Sequence, residues 1–183
     1  MTNAELAVLG LVVQQPRHGY LIERVIEERG MRRWSDIGFS SIYFLLKKLE
    51  RQKLIKGEWE KTQRGKERWA KVYHPTPAGR KAFHAAIIEA LSMPQPRPRP
   101  LMLGLANLPA VSINEALTSL KQYGKNLTAK MEMLSGVRES NLNTHPYFVD
   151  AMFELSLEVM HAELEWLEKF IQQLQAKSKA KQE

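Results

Sequence analysis

The sequence contains no cysteine. This absence excludes disulfide bonds, zinc sites built from thiolates and cysteine nucleophiles. The five histidines are scattered, and there is neither a glycine-rich phosphate loop nor an evident pairing of a nucleophile with a base. His161 and Glu165 have the i, i+4 spacing of two metal ligands, but no third ligand is evident and a solvated helical face explains them better. We therefore expect no enzyme, no cofactor and no metal site.

Long apolar runs are also missing, since none approaches the ~20 residues that span a bilayer. The N-terminus carries Glu5 and lacks the basic region and long apolar stretch of an export signal. We therefore expect a cytoplasmic protein without membrane contact. The 44% of apolar residues in a chain of 183 are enough for a genuine core, in one large domain or two small ones.

Acidic residues are scarce in one part of the chain. Residues 1–91 contain 17 Lys and Arg against 10 Asp and Glu, whereas residues 92–183 contain 10 of each. Within residues 31–86 the imbalance sharpens to 14 against 5. A concentrated basic excess is typical of a surface that binds a polyanion, although a merely solvated basic surface explains the charge alone equally well.

The N-terminal half is predicted to contain three short helices, a hairpin and a fourth helix. Thr2 and Glu5 have capping-box spacing, and the first helix then presents Leu6, Leu9, Gly10 and Val13 on one face. The second helix runs from about Gly19 to Arg29, and Gly30 is suited to stop it.

The third predicted helix occupies the stretch 39–55, FSSIYFLLKKLERQKLI. Its apolar residues recur at i, i+3, i+4 and i+7, the pattern of one buried face: Ile42, Leu45, Leu46 and Leu49. At ~100° per residue the opposite face holds Ser40, Phe44, Lys47 and Arg51, with Tyr43 and Lys48 on its flanks. The basic face is therefore expected to look outward.

Two strand-like segments, 57–62 and 67–73, follow around a turn at 63–66 and predict a hairpin. Its tip is basic and holds Lys61, Arg64, Lys66 and Arg68. The next helix starts at Thr76 or Pro77 and ends near Leu91. Three helices followed by a basic-tipped hairpin predict a winged helix-turn-helix, which inserts its third helix into the major groove of DNA.

Four alternating prolines at 94, 96, 98 and 100 disfavour regular structure and favour an extended connector. We predict a mainly helical protein with a small β-hairpin wing. Its winged helix-turn-helix domain covers 1–91, a proline-rich linker and connecting segment covers 92–111, a domain of long antiparallel helices that mediates dimerisation covers 112–176, and a polar tail covers 177–183.

The last helix, predicted to start near 143–146, has two apolar seams. The first seam is Phe148, Met152, Leu155, Val159 and Trp166, and the second seam is Leu157, Met160, Leu164, Leu167 and Ile171. Because a helix with two apolar sides needs two partners, we expect the preceding helix, which follows a Ser112–Glu115 capping box, to cover one seam and a second subunit the other. The alternative is that the N-terminal domain covers the remaining seam. All ten residues are predicted dimerisation residues.

Three motifs carry a resemblance to the PadR-like transcriptional regulators. They are His18-Gly19-Tyr20; Ser41-Ile42-Tyr43 with Leu46-Lys47-Lys48-Leu49-Glu50; and Tyr73 with Thr76-Pro77-Ala78-Gly79-Arg80, in the order and spacing of the family. The resemblance covers the N-terminal half in detail and the remainder only in architecture. It implies a winged helix joined to a helical dimerisation region.

The resemblance also implies roles for individual positions. Tyr20, Ser41 and Tyr43 match family positions at the DNA surface, and Lys47 and Lys48 match its basic helix positions. The full set of predicted DNA-binding residues is Tyr20, Ser40, Ser41, Tyr43, Lys47, Lys48, Arg51, Lys61, Arg64, Lys66 and Arg68. For Ser40 and Ser41 the alternative is an ordinary polar first turn, and for Tyr43 and Phe44 it is partial core packing.

The sequence departs from the family pattern at three places. Gly38-Phe39 replaces a serine-proline helix start, Phe44 replaces a common proline, and Lys53 replaces a glycine. These changes affect the expected DNA target rather than the fold, and Phe44 receives no role.

The predicted function is a dimeric, sequence-specific transcriptional repressor that binds double-stranded DNA at an inverted repeat with half-sites ~10 bp apart. The resemblance further implies a small apolar or aromatic effector near the dimer interface. Trp166, Met152, Met160 and Phe148 are candidates to line its site, although core packing explains such residues more often. The alternative function is a helical protein-interaction adaptor whose winged helix does not bind DNA.

Overall fold

The structure is a computed structural model that describes residues 1–35, 37–38, 42–61, 69–94, 100–140 and 146–179. The chain divides into two compact units, Met1–Arg97 and Pro98–Glu183. The first unit contains α1 (Asn3–Gln14), β1 (Arg17–His18), α2 (Gly19–Glu28), α3 (Arg32–Ser35), α4 (Ile42–Arg51), β2 (Ile55–Lys61), β3 (Trp69–Pro75) and α5 (Pro77–Ser92). The second contains α6 (Pro100–Ala106), a 3₁₀ turn (Leu108–Ala110), α7 (Ile113–Glu139) and α8 (Tyr147–Lys179).

This mainly helical architecture with a small antiparallel sheet confirms the predicted fold class. The sheet has the order β1-β3-β2, and the β2–β3 hairpin pairs Ile55 with Pro75 at its base and Lys61 with Trp69 at its far end. The short elements β1 and α3 were not predicted, because two to four residues are too few to show a hydrophobic period.

The core of the first unit forms around α1. Val8, Leu9, Leu11 and Val12 are all buried, since α1 contacts α2, α3, α4, α5 and β3. The prediction of a single apolar face on α1 was therefore too restrictive. Leu6 and Val13 of the predicted face are only half-buried, whereas apolar residues outside that face are fully buried. A helix that is apolar all round is a core helix rather than a surface one.

Two helices of this unit end in the same way. After α2, Gly30 adopts φ 58° and the Met31 N–H donates to the Ile26 carbonyl at 2.9 Å. After α4, Lys53 adopts φ 58° and the Leu54 N–H donates to the Leu49 carbonyl at 2.9 Å. Both are Schellman endings, which require one residue in the left-handed region. Gly30 meets this requirement as predicted, whereas Lys53 meets it at a steric cost.

The corner between α4 and β2 is locked to the start of α5. The Thr76 hydroxyl accepts the Gly79 N–H at 2.9 Å as the helix cap and donates to the Lys53 carbonyl at 2.7 Å. A Cβ on Gly79 would lie 1.9 Å from the Leu54 carbonyl oxygen. The absence of a side chain at Gly79 thus permits the close approach that fixes the hairpin relative to α4.

In the second unit α7 and α8 pack as an antiparallel pair. The Tyr123 hydroxyl donates to Glu163, and near the other end Arg138 forms a bidentate ion pair with Asp150. The predicted capping box at the start of α7, Ser112 with Glu115, is present.

The two seams of α8 differ in the structure. All members of the second seam are buried or half-buried and face α7, with Leu157 and Leu167 the most buried. All five side chains of the first seam are exposed. A Cβ added to Gly124 of α7 would lie 3.2 Å from the Leu167 side chain, so the lack of a side chain here lets Leu167 pack closely.

Candidate nucleic-acid interface

The outward face of α4 is the centre of the candidate site. The buried residues of this helix are Ile42, Leu45, Leu46 and Leu49, the predicted stripe. With these four inside, Lys47 and Arg51 are exposed, and the rings of Tyr43 and Phe44 are 53% and 66% exposed. The helix therefore presents two cations and two aromatic rings to solvent. Ser40 and Ser41 lie outside the described residues.

Lys48 has a different environment from Lys47. Its ammonium group lies 2.6 Å from a carboxylate oxygen of Glu5, a residue of α1 that is only 4% exposed. Burial alone would raise the pKa of Glu5, but the hydrogen bonds and charge of Lys48, together with the backbone and hydroxyl of Thr2, outweigh burial and hold this pKa below its ordinary value. Lys48 thus joins α4 to α1, a contact that no sequence pattern indicates.

Glu50, the one acid within α4, connects this helix to the hairpin. One of its carboxylate oxygens accepts the Gly57 N–H at 3.1 Å, and the other lies 2.8 Å from the Lys71 ammonium. The hydrogen bond that the Lys71 ammonium donates to Glu50 raises the pKa of Lys71. A negative charge on an otherwise basic helix therefore fixes the angle between α4 and the wing.

The start of α2 lies beside α4. A Cβ on Gly19 would come within 2.8 Å of the Tyr43 ring, so this glycine makes room for Tyr43. The adjacent Tyr20 is half-exposed and stacks on His18 with ring centroids 6.1 Å apart. The structure thus brings Tyr43 next to the segment that carries Tyr20, two of the residues assigned to the DNA surface by resemblance.

The wing presents aromatic residues that the sequence reading left without a role. Alternation along the paired strands places Trp59, Lys61, Trp69 and Lys71 on one face, and both tryptophans are more than half exposed. The Lys61 ammonium lies 5.9 Å from the centre of the Trp69 ring, within cation–π range. The alternation of side chains along each predicted strand could have placed these two tryptophans on the same face as Lys61 and Lys71. Arg64, Lys66 and Arg68 lie outside the described residues.

The opposite face of the wing holds a small polar cluster. Ligand atoms of Glu58, Glu60 and His74 lie within 4.8 Å of one another, which is compatible with a metal ion. However, Glu58 already pairs with Lys56 at 2.6 Å, His74 pairs with Glu60 at 2.9 Å, and both glutamates are exposed. These pairs are those of an ordinary exposed strand surface.

The second unit contributes two surfaces. The first seam forms an exposed apolar stripe on α8, where Trp166 stacks on Phe170 with ring centroids 5.1 Å apart. A separate open groove of about 550 Å³ lies between α7 and α8, floored by Gly124, Leu164 and Leu167 and rimmed by Lys121 and Glu168. The four residues considered for an effector site, Phe148, Met152, Met160 and Trp166, do not line this groove.

Comparisons with known proteins relate the first unit to a protein family. Residues 8–85 match the model of the Transcriptional regulator PadR-like family. Within the described part of the chain, no helix is both long and apolar enough to cross a membrane. No curated protein matches the sequence significantly.

Solved structures similar to the chain include Bacillus subtilis PadR in complex with operator DNA, with 26% identity, a TM-score of 0.73 and coverage of 93% of this chain and 98% of that one. The same Bacillus subtilis protein in complex with p-coumaric acid is 24% identical with a TM-score of 0.71, and the match covers 94% and 99% of the two chains. A PadR-like transcriptional regulator from Bacillus cereus is 21% identical with a TM-score of 0.66, covering 95% and 99%.

Members of this family are transcription regulators and not enzymes. Residues 8–85 of this chain therefore form a PadR-like domain, as the sequence motifs indicated.

Proposed function

We propose that this protein is a dimeric, sequence-specific repressor that binds double-stranded DNA with α4 in the major groove. The observation that carries the proposal is the outward face of α4, where Lys47 and Arg51 lie one turn apart and are both exposed. Cations so placed neutralise backbone phosphates, while the aromatic residues beside them can approach base edges. The Bacillus subtilis relative bound to operator DNA supports this use of the fold.

The wing is proposed to add contacts to the same duplex. Glu50 holds the hairpin against α4, so the exposed Lys61 and α4 are attached to one rigid unit. Arg64, Lys66 and Arg68 of the turn are assigned to phosphates on their sequence position, and Ser40 and Ser41 to the groove-facing start of the helix. Lys48 is assigned instead to the attachment of α4 to α1, because Glu5 occupies its ammonium group.

Dimerisation is proposed to use the first seam of α8. Its five exposed apolar side chains follow one line along a long helix, the arrangement by which helices pair across a two-fold axis. The second seam is occupied within the chain by α7, so the dimer proposal now rests on the first seam alone. Two DNA-binding units related by a two-fold axis would read an inverted repeat.

Release from DNA is proposed to follow the binding of a small apolar or aromatic effector. The Bacillus subtilis relative has been crystallised with p-coumaric acid, and the exposed Trp166–Phe170 stack offers an aromatic surface in this chain. Titrating p-coumaric acid should quench tryptophan emission saturably in the wild type and weaken the DNA complex. Trp166→Phe should remove most of that quenching, and an unchanged spectrum at all concentrations would count against an effector of this class.

The decisive experiment for DNA binding is a salt titration with duplexes taken from the region flanking the gene. Four phosphate contacts per dimer, two from each α4, would lower the affinity about a hundredfold between ~50 and ~200 mM salt. Lys47→Ala should weaken binding to specific and random duplexes alike and flatten the slope. The matched control is Lys177→Ala, which removes the same charge from the far end of α8. Binding that does not change with salt, or no binding at all, would favour the protein-interaction adaptor.

A further inference from the structure

Phe44 is an apolar residue on the outward face of a basic helix. Its ring is 66% exposed, more than that of Tyr43 beside it. The core does not need it, because the buried side of α4 is already complete with Ile42, Leu45, Leu46 and Leu49. The structure therefore removes core packing as an explanation of this phenylalanine.

The neighbours of Phe44 lie on the same line along the helix. Lys47 follows it by three residues and Arg51 by seven, which at ~100° per residue keeps all three on one face. Both cations are exposed. If the long side chains of Lys47 and Arg51 reach the phosphates on the walls of the major groove, the shorter side chain of Phe44 faces the base edges at the floor of the groove.

The floor of the major groove offers an apolar side chain one kind of partner. Base edges there present hydrogen-bond donors and acceptors, and the apolar group among them is the 5-methyl of thymine. A phenylalanine cannot satisfy a donor or an acceptor, so it discriminates by burying that methyl and by leaving polar edges unpaired at other bases.

We propose that Phe44 reads thymine through its 5-methyl group and thereby sets part of the DNA specificity. This assignment rests on the proposed binding of α4 in the major groove. It predicts that each half-site contains at least one thymine at a position fixed relative to the phosphates contacted by Lys47.

The test replaces thymine by deoxyuridine, which removes the methyl group and changes no hydrogen bond. Duplexes selected from a random-sequence library by the wild-type protein are resynthesised with uracil at one thymine at a time, and affinities are measured by fluorescence anisotropy. Loss of one buried methyl should weaken wild-type binding about fourfold per half-site at the contacted position. Phe44→Ala should bind the thymine and uracil duplexes equally, whereas Phe44→Leu should keep part of the difference.

Lys47→Ala provides the control, because it should lower both affinities and leave their ratio unchanged. The assignment is overturned if the selected half-sites lack a common thymine, if no uracil substitution weakens the wild type, or if Phe44→Ala remains as sensitive to uracil as the wild type. Failure of the wild-type protein to select any duplex would instead overturn the proposed function itself, and the assignment with it.

Discussion

The two units of the chain differ in how they enclose their apolar residues. The described part of the first has one continuous core of 14 buried residues drawn from α1, α2, α4, the hairpin and the segments on either side of α3. The described part of the second has two clusters of three buried residues each, along a single helix pair. The first unit therefore encloses its core with its own elements, whereas the second leaves a helix face that a partner can cover.

The largest effect is expected where the first unit is packed most closely. Gly79→Ala places a Cβ 1.9 Å from the Leu54 carbonyl oxygen, and since backbone must move to relieve the clash, we expect a loss of about 3 kcal/mol in the free energy of unfolding. Gly136→Ala in α7 is the matched control, because its Cβ would meet nothing within 4 Å. It should stabilise its helix by up to ~1 kcal/mol. Urea unfolding followed by circular dichroism compares the two, and equal effects would refute the close approach.

In the second unit, a substitution on the exposed face of α8 should weaken the dimer without unfolding the chain. Leu155 is 67% exposed in the single chain, so Leu155→Glu should leave the fold intact but weaken a dimer at least tenfold by placing a charge in its interface. Gln172→Glu adds the same charge about 120° around α8 from the first seam and should have little effect. Sedimentation equilibrium measures both. A wild-type protein that stays monomeric at micromolar concentration would contradict the dimer.

The same capping motif occurs in both units and should respond differently to pH. Glu5 is buried beside Lys48 while Glu115 is exposed, so Glu5→Gln should cost about 1–2 kcal/mol at pH 7 and Glu115→Gln clearly less. The folded pKa of Glu5 is lowered, so its contribution is complete above the unfolded value of ~4.3 and is lost as the pH falls through the folded value. Unfolding of wild type and Glu5→Gln should therefore converge in acid; a difference that persists there would exclude the carboxylate as its cause.

The smallest effect compares two helix ends within the first unit. Lys53 occupies the left-handed position that Gly30 occupies after α2, so Lys53→Gly should raise the unfolding free energy by about 0.5–1 kcal/mol. Gly30→Ala should lower it by a similar amount. Melting temperatures of the two variants should move in opposite directions, and a fall for Lys53→Gly would mean that the lysine side chain contributes more than its backbone costs.

Much of the local structure in both units could be predicted from short sequence patterns. The stripe on α4, both capping boxes and the stop at Gly30 depend on residues close in sequence, and all are present. The ion pair of Lys48 with Glu5 could not be foreseen, since a lysine on the flank of a helix shows no sign of a partner 43 positions earlier. For the same reason the sequence pattern predicted a single apolar face for α1, although other elements of the first unit surround this helix.

The candidate site shows the same division. Which side chains of α4 point outward followed from the helical period, and the structure agrees for Phe44, Lys47 and Arg51. Two other features depend on tertiary contacts, which the helical period cannot predict. They are the contacts of Glu50 with the wing and the space beside Gly19 that Tyr43 fills. On α8 the helical period of the apolar residues predicted two seams but did not indicate which of them packs against α7.

We propose that the first unit contacts DNA through α4 while the second holds two such units in a two-fold pair. A hydroxyl-radical footprint of the wild-type protein on its selected duplex tests both parts at once. We expect two protected segments arranged as an inverted repeat with centres ~10 bp apart, both lost together in Leu155→Glu at low protein concentration. A single protected segment, or two that persist unchanged in Leu155→Glu, would contradict it.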